Sequence, residues 1–229
     1  MPESVANQSL IDYLKTVDTP TVSNAIELLK IRPRSEGFTP YQVRCLFPEL
    51  GRMCGYAVTA EVETMTLGVP REEESFVQLF EAVEKSPKPA VIVFQEVGPH
   101  PTYAAHCGEV MATIFSALGG IGLVSDYAVR DLAEVRALRF HYFASGAVAS
   151  HANFHIVRTG GPVHVRGLTI HSQDLLHGDE NGLIQIPNEA TQEKLREAIN
   201  SVRSRERRLM DFVKSAGFSA TQLRGRFFH

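Results

Sequence analysis

The sequence holds no apolar run of membrane-spanning length, and no signal peptide opens it, so a soluble cytoplasmic protein is expected. Cysteine is scarce: Cys45, Cys54 and Cys107 are an odd set without close pairing, which argues against a disulfide framework and for a reducing compartment. Positive charge is not in excess. With a net charge of -3 there is no reason to expect a nucleic-acid surface. There is no Gly-rich loop ending in Lys, no HExxH and no GxSxG, so phosphate-loop, zinc-protease and serine-elbow chemistries are set aside. No lysine lies between Lys88 and Lys194, which disfavours covalent imine catalysis and turns attention to metal-assisted routes.

What is present reads as an α/β chain. Hydrophobic residues make up 44% and charged residues 21% of 229 residues, enough for a packed core. Ser9 precedes a short amphipathic helix carrying Leu10, Ile11, Tyr13, Leu14 and Val17. Asp18-Thr19-Pro20 restarts a second one, with Thr19 expected as cap and Pro20 at the first helical position. Residues 31–54 read as loop. Tyr56 to Val62 alternates as a strand, Glu72 to Glu84 carries a helical stripe, and Ala90 to Phe94 is a continuous apolar run, a buried strand. Beyond residue 139 come short strands: Phe140–Phe143, Phe154–Val157, Val163–Val165, Leu168–Ile170, and a pair flanking a turn at His177–Gly182. A C-terminal helix of about 189–214 follows Pro187. With no repeat and no linker, one domain over 1–229 is expected, with N-terminal helices at about 9–30.

The stretch His106–Leu138 holds two chemical centres, Gly108-Glu109 at a helix start and Arg130-Asp131 after the short strand Ile121–Val124. Twenty residues separate Glu109 from Arg130, enough for one helix, one turn and one strand, so a parallel sheet can bring both to the same edge. Gly108 admits a ligand close to the backbone, and first-turn N–H groups suit a carboxylate or phosphate. Val110, Ile114, Ala117 and Leu118 are expected to pack on the sheet, and Gly119-Gly120 to end the helix. Arg130 offers a planar fork for a carboxylate. Asp131 suits a hard cation, or equally a helix cap, and Arg130 could simply pair with Glu109.

Other polar residues weigh less. His100 and His106 flank the Gly108 loop as secondary candidates for substrate contact. His151 and His155 have the spacing of helical metal ligands but fall in loop and strand, with no third ligand near, so satisfied or partner-facing histidines are the better reading. Asp174, Asp179 and Glu180 read as turn and hairpin residues, the run Arg203–Arg208 as a solvated helix face, and Cys107 as a buried bystander. For Asp126, a turn role and a ligand role balance.

GEVMA at 108–112, GGIGLVSDYAVRD at 119–131 and GDENGLIQIP at 178–187 resemble the RraA-like family, as do DTPTVSNAIE at 18–27 and GYAVTA at 55–60. That family contains the regulator of ribonuclease activity A and the class II 4-hydroxy-4-methyl-2-oxoglutarate aldolases. The likeness runs from about Leu14 to the C-terminal helix. Its most specific element is an acidic residue, twenty intervening residues, then Arg-Asp, which the aldolase branch carries. Glu109 stands here where that branch usually has Asp, and Tyr127 where the family often has Gly.

The resemblance implies a β/α/β sandwich of the swivelling-domain type, and homotrimers, sometimes paired into hexamers, with sites between subunits. It implies a lyase that cleaves a 4-hydroxy-2-oxo acid to pyruvate, with oxaloacetate decarboxylation as a side activity; the alternative within the family is a non-catalytic regulator that inhibits a partner such as a ribonuclease. It implies Mg2+, or Mn2+, held by Asp131. Arg130 would bind substrate, Gly108, Glu109, Val110 and Met111 would hold the pyruvate carboxylate through backbone N–H groups, Glu109 would orient water on the cation, and Glu206 would reach a neighbouring subunit's site.

Overall fold

The computed structural model describes residues 3–224; the ends of the expected 1–229 span, residues 1–2 and 225–229, lie outside it. Helix α1 (Glu3–Leu14) begins well before Ser9, which is an interior residue whose carbonyl and hydroxyl accept from Arg196 Nη2 at 2.6 and 3.1 Å. Helix α2 (Thr19–Leu29) corrects the expected cap. Asp18, not Thr19, is the N-cap: its Oδ1 accepts Thr21 N–H at 2.9 Å, and Pro20 is the second helical residue. A carboxylate carries full charge to the exposed N–H groups of the first turn, which a hydroxyl does not.

The expected loop over 31–54 contains a two-residue strand, β1 (Arg44–Cys45), and the start of β2 (Met53–Glu63), the longest strand. Then follow α3 (Glu73–Lys85), β3 (Ala90–Glu96), α4 (Glu109–Ala117), β4 (Gly120–Ser125), the short β5 (Ala128–Val129), α5 (Leu132–Ala137), β6 (His141–Ala144) and β7 (Gly146–Ala147). The β-rich remainder is β8 (His155–Thr159), β9 (Val163–Val165), β10 (Leu168–Ile170), β11 (Leu175–Asp179) and β12 (Gly182–Ile186), closed by α6 (Gln192–Val213). The expected turn at His177–Gly182 shrinks to Glu180-Asn181, because His177, Gly178 and Asp179 pair with β12 and are buried.

Both halves of the chain share one eight-stranded mixed sheet in the order β1-β6-β4-β3-β2-β11-β12. β2, β3, β4 and β6 run parallel. On its other edge β2 pairs antiparallel with β11 at one end and with β8 at the other. Side chains alternate across the sheet. Ala90, Ile92 and Phe94 face the cluster under α3 and α4, while Val91 and Val93 face a second cluster completed by the β9–β10 hairpin. Both faces of β3 are therefore dry, which explains an uninterrupted apolar run. A third cluster joins α1, α2 and α6 through Leu14, Val22, Ile26, Leu195 and Ile199.

The face α4 buries matches the expected one only in part: Leu118 packs against the core and Ile114 is half-buried, but the helix is turned away from the rest of that stripe. Val110 is 72% exposed and Ala117 is exposed, while Ala112 and Phe115 are fully buried. Phe115 packs edge-on to Phe80 and Phe94, at 5.8 and 6.2 Å between centroids. Burying the larger ring turns the helix and leaves Val110 outside.

Candidate functional site

β3 and β4 are parallel neighbours, and the loops leaving their C-terminal ends carry both predicted centres. Open α/β sheets place ligand crevices at such ends. The strap after β3 is tied to the segment after β4 by backbone bonds: Ala105 bridges to Ala128, His106 N–H donates to Ala128 O at 2.8 Å, and Arg130 N–H donates to Cys107 O at 2.9 Å. The chain then diverges at Gly108, where α4 begins, and at Asp131, where α5 begins.

Asp131 occupies the N-cap position of α5 with φ +57°, a left-handed conformation that aspartate tolerates better than most residues. Its side chain does not cap α5. It turns to the other helix instead, and Oδ2 accepts the Glu109 N–H at 2.9 Å. The expected cap role is thus transferred to α4. Arg130 Nε lies 3.6 Å from the same oxygen, so Arg130 pairs with Asp131 rather than with Glu109. Gly108 is the contact point: a Cβ there would stand 2.3 Å from Asp131 Oδ2 and 2.8 Å from Arg130 Nε.

Beside this junction opens a cleft of about 230 Å3, lined by Arg71, Ala105, His106, Cys107, Gly108, Val110, Met111, Arg130, His151 and Phe154. Four predicted site residues line it: Gly108, Val110, Met111 and Arg130. Glu109 and Asp131 do not; Glu109 is exposed at the first position of α4, and Asp131 adjoins the cleft through Glu109 and Arg130. Glu206 sits on α6 and accepts from Asn24 Nδ2 at 3.2 Å, on the α2 side of the chain.

Beneath the cleft is a buried polar network that joins His106 and Asp126, expected only as separate candidates, to Glu96, Ser125 and Thr64. His106 Nε2 is 3.0 Å from Glu96 Oε2, its Nδ1 is 2.9 Å from Ser125 Oγ and 3.8 Å from Asp126 Oδ1. Asp126 accepts the Glu96 N–H with both oxygens at 3.1 and 3.2 Å, and Thr64 Oγ1 donates to Glu96 Oε2 at 2.8 Å. Burial pushes the Asp126 carboxyl up to about 7, against the pull of His106 and of the Glu96 N–H. Burial pushes Glu96 the same way, but bonds from His106 and Thr64 outweigh it and hold that carboxyl below its ordinary value. His106 is therefore a framework residue as well as a cleft wall. Glu96, Ser125 and Asp126 are polar residues ending apolar strands, the signal by which they are found. Arg71 and Phe154 carry no comparable signal.

The remaining residues fall where their chemistry directs. Cys107 is buried and its thiol is pushed up to about 12 by burial, so it is inert. His155 is buried, 3.3 Å from Glu63 Oε2 and 3.1 Å from Asn153 O, a satisfied strand residue apart from the cleft. Asp179 accepts Thr19 N–H at 2.7 Å and Asn181 N–H at 2.8 Å. Tyr127, half-buried, lies under the Arg166 guanidinium at 3.9 Å and edge-on to His106. Among the described residues no group of three His, Cys, Asp or Glu is disposed to hold a metal ion. None of their helices is long and apolar enough to cross a membrane.

A mixed sheet layered by helices on one side and a β-hairpin on the other, with an Arg-Asp corner against a glycine helix start, defines an α/β sandwich with a cleft beside that corner. The family model described as Aldolase/RraA, RraA-like, matches residues 19–185, and the chain belongs to that family. Protein DlpA of Legionella pneumophila subsp. pneumophila is 24% identical over 224 residues; that alignment covers 93% of this chain, which spans about a third (33%) of DlpA's length. Among solved structures, an uncharacterized protein from Pseudomonas syringae pv. tomato is similar at a TM-score of 0.73 and 23% identity, with 95% of this chain and 93% of that one covered. Streptomyces coelicolor RraAS2, described as an unusual member of the RNase ES inhibitor RraA protein family, matches at 0.67 and 23%, covering 89% and 98%. These likenesses concern the fold.

Proposed function

We propose that this chain is a divalent-cation-dependent lyase that cleaves a 4-hydroxy-2-oxo acid, such as 4-hydroxy-4-methyl-2-oxoglutarate, to pyruvate by retro-aldol reaction, and decarboxylates oxaloacetate at the same place. The observation that carries this reading is the Gly108–Arg130–Asp131 corner. One carboxylate and one guanidinium converge on a helix start with no room for a side chain between them.

The corner fits Mg2+ or Mn2+. Asp131 Oδ2 is occupied by the Glu109 N–H, which fixes the carboxylate and leaves Oδ1 for a cation. Magnesium keeps several waters and accepts a single protein carboxylate, the rest of its oxygens coming from substrate. A three-ligand zinc site does not fit, since no such cluster exists among the described residues. When bound, the cation supplies positive charge for the electron pair released at the 2-oxo group.

The chain's own residues do the rest. Arg130 takes the substrate carboxylate through its planar fork. The N–H groups of Val110 and Met111, in the first turn of α4 and without helical partners, add to that hold. Breaking the C3–C4 bond sends its electron pair to the pyruvate fragment as an enolate, and Arg130 stabilises that charge. Glu109 orients the water that takes the proton from the 4-hydroxyl, whose oxygen becomes the carbonyl of the other fragment, and that water returns the proton to C3 of the enolate to give pyruvate. Loss of carbon dioxide from oxaloacetate leaves the same enolate. In this proposal the chain acts in the cytoplasm as a homotrimer or hexamer, with Glu206 of one subunit approaching the site of the next.

The test is pyruvate release from 4-hydroxy-4-methyl-2-oxoglutarate and from oxaloacetate, before and after EDTA. Turnover that EDTA removes and MgCl2 restores supports the reading. No turnover of either acid, with or without magnesium, rejects it and favours a regulator that acts by contact.

A further inference from the structure

We infer that Arg71 is the specificity-determining residue for the far carboxylate of the two-carboxylate acids named above. The inference rests on the reading above for the near end, where Arg130 and the start of α4 meet the 2-oxo acid.

The first ground is the charge of the wall. Its lining holds two guanidinium groups, Arg71 and Arg130, two imidazoles, His106 and His151, and no carboxylate. A cleft walled by one sign of charge concentrates ligands of the other sign. Arg130 is partly answered by Asp131 at 3.6 Å. Among the described residues Arg71 has no carboxylate within ion-pair distance, although Glu72, Glu73 and Glu74 follow it directly. Its charge is left for something the chain does not supply.

The second ground is that Arg71 is held. Its guanidinium carbon lies 5.2 Å from the centroid of the Phe76 ring. Phe76 packs edge-on to Phe154 at 6.0 Å, and Phe154 is itself part of the cleft wall. An arginine placed over an aromatic face keeps its planar fork free and has less freedom to lose on binding a carboxylate. This aromatic seat stands on α3 and the loop before β8, whereas Arg130 stands on the loop after β4. The two cations therefore come from separate parts of the fold and share only the cleft.

The third ground is size. About 230 Å3 falls below the roughly 300–1,000 Å3 of sites for drug-sized ligands. That volume suits a short acid. In this proposal the second carboxylate of a diacid is the group that answers Arg71, and a 2-oxo acid with one carboxylate has only Arg130 to meet.

The experiment is calorimetry on the full chain with excess MgCl2, comparing 2-oxoglutarate, with two carboxylates, against 2-oxobutyrate, with one. Wild-type protein is expected to bind 2-oxoglutarate more tightly. Arg71→Gln should weaken 2-oxoglutarate by roughly 10- to 100-fold, the worth of one charge-assisted bond, and leave 2-oxobutyrate within about twofold. Arg71→Lys should recover part of the loss. Arg71 is exposed, so both variants should fold, checked by an unchanged thermal midpoint. Equal losses for both acids, no loss for either, or no binding of either acid to wild type overturns the assignment. Absence of pyruvate release by the wild type would reject the retro-aldol reading instead, and the binding comparison would still decide Arg71.

Discussion

Gly108 and Asp131 stand so close that a single methyl group cannot be added between them: a Cβ on residue 108 would lie 2.3 Å from Asp131 Oδ2. The backbone of Gly108 is ordinary extended chain, φ -137°, which alanine adopts without strain. Gly108→Ala therefore acts on the corner alone. It should leave the circular dichroism spectrum unchanged and lower kcat/KM for pyruvate release by about 100-fold or more, in keeping with the cost of ångström-scale misplacement. Full activity in this variant would show that the corner is not where the reaction occurs.

Asp131 has two jobs that two substitutions separate. Asparagine keeps an oxygen for the Glu109 N–H but removes the charge a cation needs; alanine removes both. Asp131→Asn should hold its thermal midpoint and lose several kcal/mol of transition-state stabilisation, and Asp131→Ala should lose both activity and some stability. Arg130→Lys should restore little of what Arg130→Ala loses, because an ammonium does not present a planar fork. Steady-state kinetics beside thermal melts checks both, and wild-type rates in Asp131→Asn would remove the cation from the proposal.

Most elements of this fold were legible because burial on one or two faces writes a simple pattern. Ala90 to Phe94 reads as a strand because both of its faces are dry, and Val163–Val165 and Leu168–Ile170 were located to the residue by the turns between them. The rotation of α4 was not legible. Valine and phenylalanine offer competing stripes, and only the neighbours Phe80 and Phe94 decide that Phe115 goes inside. The two chemical centres were legible as residues, since charge beside glycine at strand ends has few other uses. Their mutual geometry was not: that Asp131 would abandon its own helix and bond the next one depends on a left-handed backbone angle. Arg71 was invisible, because it sits on a loop and earns its place through an aromatic ring five residues on.

The buried network under the cleft should make stability fall as pH rises toward 7. Burial raises the Asp126 carboxyl from its ordinary 3.8 to about 7. Between those values the folded chain binds more protons than the unfolded one, so the contribution of this group is full below about 4 and is lost as pH rises through about 7. His141, whose buried imidazole is held down to about 4 by desolvation, acts in the opposite sense below its ordinary 6.5. A comparison of wild type with Asp126→Asn cancels that second slope. The asparagine variant should gain on the wild type as pH goes from 5 to 8, by an amount on the order of a few kcal/mol. Parallel melting curves at pH 5 and pH 8 would refute the raised carboxyl.

The start of α2 offers two substitutions of similar cost and different cause. Asp18 accepts the Thr21 N–H and the Thr21 hydroxyl, both at 2.9 Å, and these bonds hold its carboxyl below the ordinary range although burial opposes them. Asp18→Ala should cost about 1 kcal/mol, the usual worth of an N-cap. Thr19→Ala keeps the backbone N–H that donates to Asp179 but strips the hydroxyl 3.0 Å from His177 Nδ1, leaving a fully buried ring nitrogen without that partner, at a cost of about 1–3 kcal/mol. Acid tells them apart. The folded carboxyl of Asp18 titrates below its unfolded value, so its contribution is present above that value and disappears as pH falls through the folded one. The penalty of Asp18→Ala should therefore be smaller at pH 3 than at pH 7, while the unpartnered nitrogen left by Thr19→Ala does not depend on that carboxyl. Urea titrations of both variants at pH 7 and at pH 3 measure the difference, and an Asp18→Ala penalty that persists unchanged in acid would mean that the helix start is held by something other than the charge.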